Sequence, residues 1–179
     1  MKVETGRELS IKVQQYIAEL EGLRERASTL TLRRNHRLQE SYARVTIQFD
    51  AAFDYTNFKS ASGLVVWSRS GRLIAMKTVL HRIVLSPFAA EAFAGLQALK
   101  LGSEMDFPSV TVMGDSRTII KKCQAMKKDK SNIGAIINDI HSKMTRFEDI
   151  RFQFINRTEN AFAHKIVEEA LKKEEKHTW

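Results

Sequence analysis

Between Val45 and Asp54 the apolar residues fall on every second position, and this alternation constrains the chain more than any other feature. In VTIQFDAAFD, Val45, Ile47, Phe49, Ala51 and Phe53 share one face, while Thr46, Gln48, Asp50, Ala52 and Asp54 share the other. A period of two is the mark of a strand with two unlike faces. A loop rich in Ser, Thr, Asn and Lys separates it from a second apolar run, Leu64 to Trp67. Ser70-Gly71 then supplies a turn before a third run, Leu73 to Leu80. Three strands joined by turns predict an antiparallel meander.

After Leu80 the pattern becomes strand–helix alternation. Ser86-Pro87 is a helix start, with Ser as N-cap and Pro at the first helical position. Phe88, Ala92, Leu96 and Leu99 form the face of that helix, which should end near Gly102. SVTVMG (109–114) reads as a buried strand, and Asp115-Ser116 opens a helix from Arg117 to about Met126. Ser131 is the expected cap of a third helix carrying Ile133, Ile136, Ile137, Ile140 and Met144. Ile150 to Ile155 is a fifth strand, and Thr158 is the expected cap of a last helix running to about Glu175. The order βββαβααβα implies an α/β fold: a five-stranded mixed sheet, mostly buried, with helices covering it.

Ahead of this unit, Val13, Tyr16, Ile17, Leu20, Leu23, Ala27 and Leu30 recur at steps of three and four, predicting an amphipathic helix over 8–30. It spans too few heptads for a coiled coil. Its stripe is expected to pack on the main domain or on another segment or protein partner. Residues 31–44 are polar and aperiodic. The expected division is therefore an N-terminal helix and linker over 1–44, and one α/β domain over 45–175.

With 179 residues and 43% apolar composition, the chain can build a core, which excludes global disorder. Its single cysteine, Cys123, forms no internal disulfide and reads as a small buried group in a reducing compartment. MKVETGRELS is polar with no apolar region behind it, and no run approaches the roughly 20 apolar residues of a membrane span. The expectation is a soluble, intracellular protein without a membrane anchor, in either nucleus or cytoplasm. The formal charge is +8, which favours acidic partners. The stretch from Arg117 to Lys130 holds six basic residues (Arg117, Lys121, Lys122, Lys127, Lys128, Lys130) against one acid, Asp129. Such a patch suits a phosphate backbone, and it is equally what a solvated helix face followed by a charged loop would show.

Three acids stand where chemistry could use them. Asp50 lies within the first strand in an apolar context, Asp115 follows the buried strand at a βα junction, and Glu91 lies about one turn into the helix begun at Pro87. The carboxyl ends of strands in such sheets are favoured ligand sites. Each acid also has a plain structural reading: Asp115 as a helix cap, Glu91 as a helix-start acid, Asp50 as a turn residue. Clustered, they would repel one another unless a hard cation such as Mg²⁺ lay between them. Two such ions can activate water and stabilise a departing alkoxide in phosphodiester cleavage.

IQFDAAF (47–53), FAAEAFAGLQAL (88–99), TVMGDS (111–116) and RTENAFAH (157–164), in this order and spacing, resemble the four motifs of the ribonuclease H-like, reverse-transcriptase-like domains. These domains are retrotransposon-derived and abundant in land plants. The resemblance covers residues 45 to about 172 and implies a ribonuclease H-like fold. It casts Asp50, Glu91 and Asp115 as metal ligands for Mg²⁺, two ions in the full form, with Mn²⁺ as substitute. The implied activity is endonucleolytic hydrolysis of the RNA strand of an RNA–DNA hybrid. The fourth motif carboxylate corresponds to His164, a softer ligand without negative charge, as in many plant relatives. Arg157 and Asn160 match the last motif and join Arg117, Lys121, Lys122, Lys127 and Lys128 as expected nucleic-acid contacts. The usual Asp-Gly is Asp50-Ala51, and DYTNFKSAS replaces the usual glycine-rich loop. Three readings follow: a metal-dependent nuclease, a nucleic-acid-binding module with weak catalysis, or a protein-interaction domain working through its N-terminal helix.

Overall fold

The computed structural model of the chain describes residues 13–15 and 44–176. β1 (Val45–Asp54), β2 (Lys59–Trp67) and β3 (Leu73–His81) form the expected meander, with β1 and β2 antiparallel from Thr46↔Trp67 to Asp54↔Lys59. β4 (Ser109–Gly114) runs parallel to the other edge of β1, and β5 (Asp149–Phe154) runs parallel to β4, giving the order β3-β2-β1-β4-β5. Parallel pairs need long crossovers. α1 (Pro87–Glu104) supplies the first, and α2 (Arg117–Gln124) with α3 (Gly134–Met144) the second; α4 (Ala161–Lys176) ends the described fold.

The alternation in β1 sorts the two helical layers. Phe49 faces α1, where its ring lies 3.6 Å from the point a Cβ on Gly95 would occupy. Asp50 faces the other way and meets His164 of α4. The main core lies on the α1 side, where Ile47, Phe49, Leu64 and Val112 pack with Leu99, Ile119, Ile137 and Ile140. A smaller cluster on the α4 side joins Val65 to Phe162, Ala163 and Ile166, and Val13 is fully buried in it. Val13–Gln15 are helical. The remainder of the expected 8–30 helix, and of the 31–44 linker short of Arg44, lies outside the described residues. Among the described residues, no helix is long and apolar enough to cross a membrane.

Several sequence boundaries shift. β2 starts at Lys59, well before Leu64. Ser60, Ala61 and Ser62 are small enough to read as loop, yet all three are buried strand residues in register with β1. α1 passes through Gly102 to Glu104, because Gly102 accommodates Ile47 and Phe147 and does not end the helix. Phe88 falls on the core stripe by angle but stands at the helix start, beyond the packed layer, and is exposed. Ser131 is not the cap of α3, which begins at Gly134 with no side-chain cap. Thr158 does not cap α4 either. The turn ahead of α4 is held by Asn156 and Glu159, whose side chains each accept the other's backbone N–H at 2.9 and 3.0 Å, a reciprocal capping box.

Gly63, opposite Asp50 on β2, lets α4 lie close against the sheet. A Cβ there would stand 2.8 Å from the Ala163 carbonyl oxygen and 2.8 Å from Val167 Cβ. A backbone oxygen cannot rotate aside, so Gly63→Ala should cost about 1–3 kcal/mol through overpacking. It should also lift His164 away from Asp50. Thermal unfolding checks the first effect; an unchanged melting temperature would show that α4 has room to move.

Candidate metal centre

The site forms where β4 stops. β1 and β4 pair as far as Gln48↔Met113, and extending that register sets Asp115 opposite Asp50. Glu91 arrives from α1. One carboxylate oxygen from each of Asp50, Glu91 and Asp115 lies within 4.8 Å of the other two. The plain readings of these acids fail individually. Ser116, not Asp115, caps α2, accepting from the Ile119 N–H at 3.5 Å. Glu91 is beyond the first turn of α1, which contains no acid. Asp50 sits inside a ten-residue strand and is 2% exposed.

Burial raises the Asp50 carboxyl above its ordinary range, with the Asp115 charge adding to the effect and the His164 hydrogen bond opposing it. Glu91 is raised well above its ordinary value. Burial contributes most, then the charges of Asp50 and Asp115 and a carboxyl–carboxyl hydrogen bond with Asp50, with Arg157 opposing. Glu91 Oε2 is sealed from solvent and has no hydrogen-bond partner among the described residues. An orphaned acceptor beside two more carboxylates is a donor set suited to a hard divalent cation. The residues fit Mg²⁺.

His164 lies beside this set. Its Nδ1 is 2.7 Å from Asp50 Oδ2 and its Nε2 is 3.2 Å from Glu168 Oε1. One Arg157 nitrogen is 3.1 Å from both ring nitrogens, a position against the ring and not in line with either lone pair. Glu168 escaped the sequence reading, although the i,i+4 spacing from His164 was a usable signal. Arg157 also lines a cleft of about 300 Å³ with Pro87, Phe88, Glu91, Asp115 and Ser116.

The expected nucleic-acid residues divide. Arg157 joins the cleft. Arg117 is exposed, two residues from Asp115, with its guanidinium 4.2 Å from the centre of the Phe154 ring. Lys121, Lys122 and Lys127 line a separate hollow of about 270 Å³ with Ala125 and Asp129, and Lys128 is exposed nearby in sequence. Lys122 is bound to Asp129 at 2.6 Å, an ion pair that holds the Asp129 carboxyl down at about 2. Asn160 stands apart from the other expected contacts: it is fully buried and donates from Nδ2 to the Phe49 carbonyl at 2.8 Å, which pins α4 to β1. Cys123 is buried, as expected, and burial pushes its thiol up to about 12.

The raised carboxyls predict a pH response. Unfolded, Asp50 and Glu91 ionise near 3.8 and 4.5; folded, they keep their protons to higher pH. Their contribution is fully favourable below those unfolded values and is lost as pH rises through the folded ones. His81, lowered by burial, acts in the opposite sense as pH passes its unfolded value of 6.5. The readout is therefore a difference: without divalent cation, the native chain should lose more melting temperature from pH 5 to 8 than Glu91→Gln. Mg²⁺ should restore most at the upper end, where its ligands are ionised. Identical profiles for the two proteins would remove Glu91 from the cluster.

This sheet order with three converging carboxylates at the β1–β4 opening defines a ribonuclease H-type domain. The sequence matches the Reverse transcriptase-like family over residues 48–170, and the chain belongs to that family. No curated protein matches it significantly. Solved structures share the fold. The RNase H1 of the halophilic archaeon Halobacterium salinarum NRC-1 is 24% identical, with a TM-score of 0.67 over 73% of this chain and 98% of that one. The N-terminal RNase H domain of a Mycobacterium tuberculosis protein, fused to maltose-binding protein, is 16% identical, with a TM-score of 0.68 over 76% and 99%. LC11-RNase H1, isolated from compost, is 26% identical, with a TM-score of 0.65 over 73% and 97%. Its structure in complex with RNA/DNA hybrid aligns at 24% identity, with a TM-score of 0.63 over 72% and 97%.

Proposed function

We propose that residues 45–175 act as a divalent-metal-dependent ribonuclease cutting the RNA strand of RNA–DNA hybrids, with residues 1–44 as an extension. The observation carrying this reading is the gathering of Asp50, Glu91 and Asp115, one carboxylate oxygen of each within 4.8 Å of the others, with Glu91 Oε2 buried and unpartnered among the described residues. These three would hold Mg²⁺, as two ions with Mn²⁺ able to substitute. Bound there, the metal would supply Lewis acidity toward the scissile phosphate and lower the pKa of the attacking water. Around it, His164 fixes the Asp50 carboxylate, and Arg157, at the cleft, meets a phosphate oxygen. Arg117, Lys121, Lys127 and Lys128 hold the backbone further along. Lys122 contributes less, because Asp129 already occupies it. A hybrid-bound relative supports the choice of substrate. The histidine at 164, a trait of the plant, retrotransposon-derived members, supports membership of that branch.

His164 also favours a second reading: a domain that binds hybrid and turns over slowly, since the fourth carboxylate is missing. The test incubates the full chain with end-labelled hybrid in Mg²⁺ and separately in Mn²⁺, and measures affinity at rising salt. RNA-strand fragments with the DNA strand intact establish the nuclease. Salt-sensitive binding without fragments selects the second reading. Absence of binding overturns both and leaves the protein-interaction reading, although burial of Val13 in its own domain argues for an intramolecular role of that helix at this residue.

A further inference from the structure

Two loops beside the cleft display bulky apolar side chains that the carboxylate chemistry does not use. Tyr55 and Phe58, in the β1–β2 turn, are 72% and 51% exposed; Ile83 and Leu85, between β3 and α1, are 82% and 78% exposed. The loops are joined by the Val84 N–H donating to the Phe58 carbonyl at 2.7 Å. From Leu85 the chain runs directly into Pro87 and Phe88, which line the cleft of Glu91 and Asp115. The ridge is therefore continuous with the candidate metal centre.

Two observations separate this ridge from ordinary surface. Tyr55 and Phe58 are both braced edge-on by Phe53, with ring centroids 4.8 and 6.5 Å away and interplanar angles of 83° and 74°. Both rings thus pack against Phe53 and remain more than half exposed. Second, Phe58 (φ 51°) and Ile83 (φ 59°) both occupy the left-handed backbone region, which is unfavourable for bulky and β-branched residues. Gly or Asn would relieve that strain. Strain retained at exposed apolar positions points to a partner that uses the side chains.

The charge around the ridge indicates which partner. YTNFK (55–59) and RIVLSPF (82–88) contain no acid and two cations, Arg82 and Lys59, of which Lys59 is paired with Glu174 of α4 at 3.6 Å. The adjoining Asp54 is turned inward, accepting from the Thr56 and Asn57 N–H groups and from Asn57 Nδ2 at 2.7–3.1 Å. An acid-free ridge with exposed aromatic rings and the Arg82 cation, adjoining the candidate metal centre, suits nucleobases better than an apolar protein surface. We infer that Tyr55, Phe58, Ile83, Leu85 and Phe88 form a stacking platform for unpaired nucleotides that flank the duplex held at the carboxylates. The chain thereby prefers hybrids carrying a single-stranded extension. This inference rests on the hybrid-binding reading above.

Fluorescence anisotropy of the full chain tests it, with Ca²⁺ in place of Mg²⁺ because it takes the same oxygen ligands. The probes are a blunt hybrid and the same hybrid extended by about six unpaired nucleotides, on the RNA strand in one arm and the DNA strand in another. The extension should tighten binding about tenfold, one base stack's worth, in at least one arm. Tyr55→Ala combined with Phe58→Ala should erase that gain and leave blunt-hybrid affinity unchanged. Phe58→Asn separates function from folding: it should raise the melting temperature by about 2–6 °C by relieving the backbone, yet lower the extension gain. Equal affinity for blunt and extended hybrids, or a gain that survives the double substitution, overturns the platform while the hybrid-binding reading stands. Failure to bind either hybrid overturns both. Concentration-dependent dimerisation lost in Phe58→Ala, with no extension gain, assigns the ridge to protein contact and overturns it as well.

Discussion

Asp50→Asn is expected to slow hybrid cleavage about a thousandfold while making the cation-free protein more stable at pH 8. The first effect follows from charge. An amide keeps the size and the acceptor oxygen but removes one of three charges from the candidate ligand set. Losing about 4 kcal/mol of transition-state stabilisation from a weakened metal site is a factor of about a thousand. The second follows from the environment of Asp50, where burial and the Asp115 charge outweigh the His164 hydrogen bond, so the ionised carboxylate is disfavoured in the fold. Asn still accepts from His164 Nδ1 through its side-chain oxygen. Single-turnover cleavage and thermal unfolding in a chelating buffer check the two effects together. An inactive variant with a lowered melting temperature would merely be misfolded. A variant cleaving at the native rate would remove Asp50 from the centre.

The sheet was legible because its information is local. Period-two alternation in β1, the Ser70-Gly71 turn and the Ser86-Pro87 helix start each need only a few neighbouring residues. The three carboxylates were also legible, since each stands at a marked local position: an acid inside a strand and away from its turn, an acid past a strand end, an acid flanking a helix's core stripe. What stayed hidden depends on distant partners. Ser60, Ala61 and Ser62 read as loop until β1 pairs with them along its whole length. Asn160 read as a surface contact, and only the packing of α4 on the sheet turns its amide toward the Phe49 carbonyl 111 residues away. Caps were misread in the same way. Thr158 and Ser131 are good capping types, but Asn156 with Glu159, and a bare Ile133, occupy the actual helix starts. Lys122 looks like a free cation in sequence, and only the fold of the loop after α2 brings Asp129 onto it.

His164→Asp should separate stability from catalysis in opposite directions. In the native chain the imidazole touches Asp50 on one side and Glu168 on the other, and Arg157 lies against its ring. An aspartate at that position removes the donor from a buried carboxylate and adds a further negative charge to the cluster. Breaking one side of such a pair costs about 3 kcal/mol, so the cation-free melting temperature should fall by about 6–12 °C at pH 8. Lowering the pH should recover part of that loss, because protonation relieves the repulsion. Divalent cation should recover most of it, since four carboxylates bind a hard ion better than three and a histidine. Saturating Mg²⁺ should therefore stabilise His164→Asp more than the native chain, and its cleavage rate should exceed the native rate. Arg157 would then be released from the imidazole to face the cleft. If the variant loses stability as expected but cleaves no faster at saturating Mg²⁺, His164 is not a weakened ligand position. Its role is then to hold the Asp50 carboxylate in place, and the slow-turnover reading of this domain loses its main support.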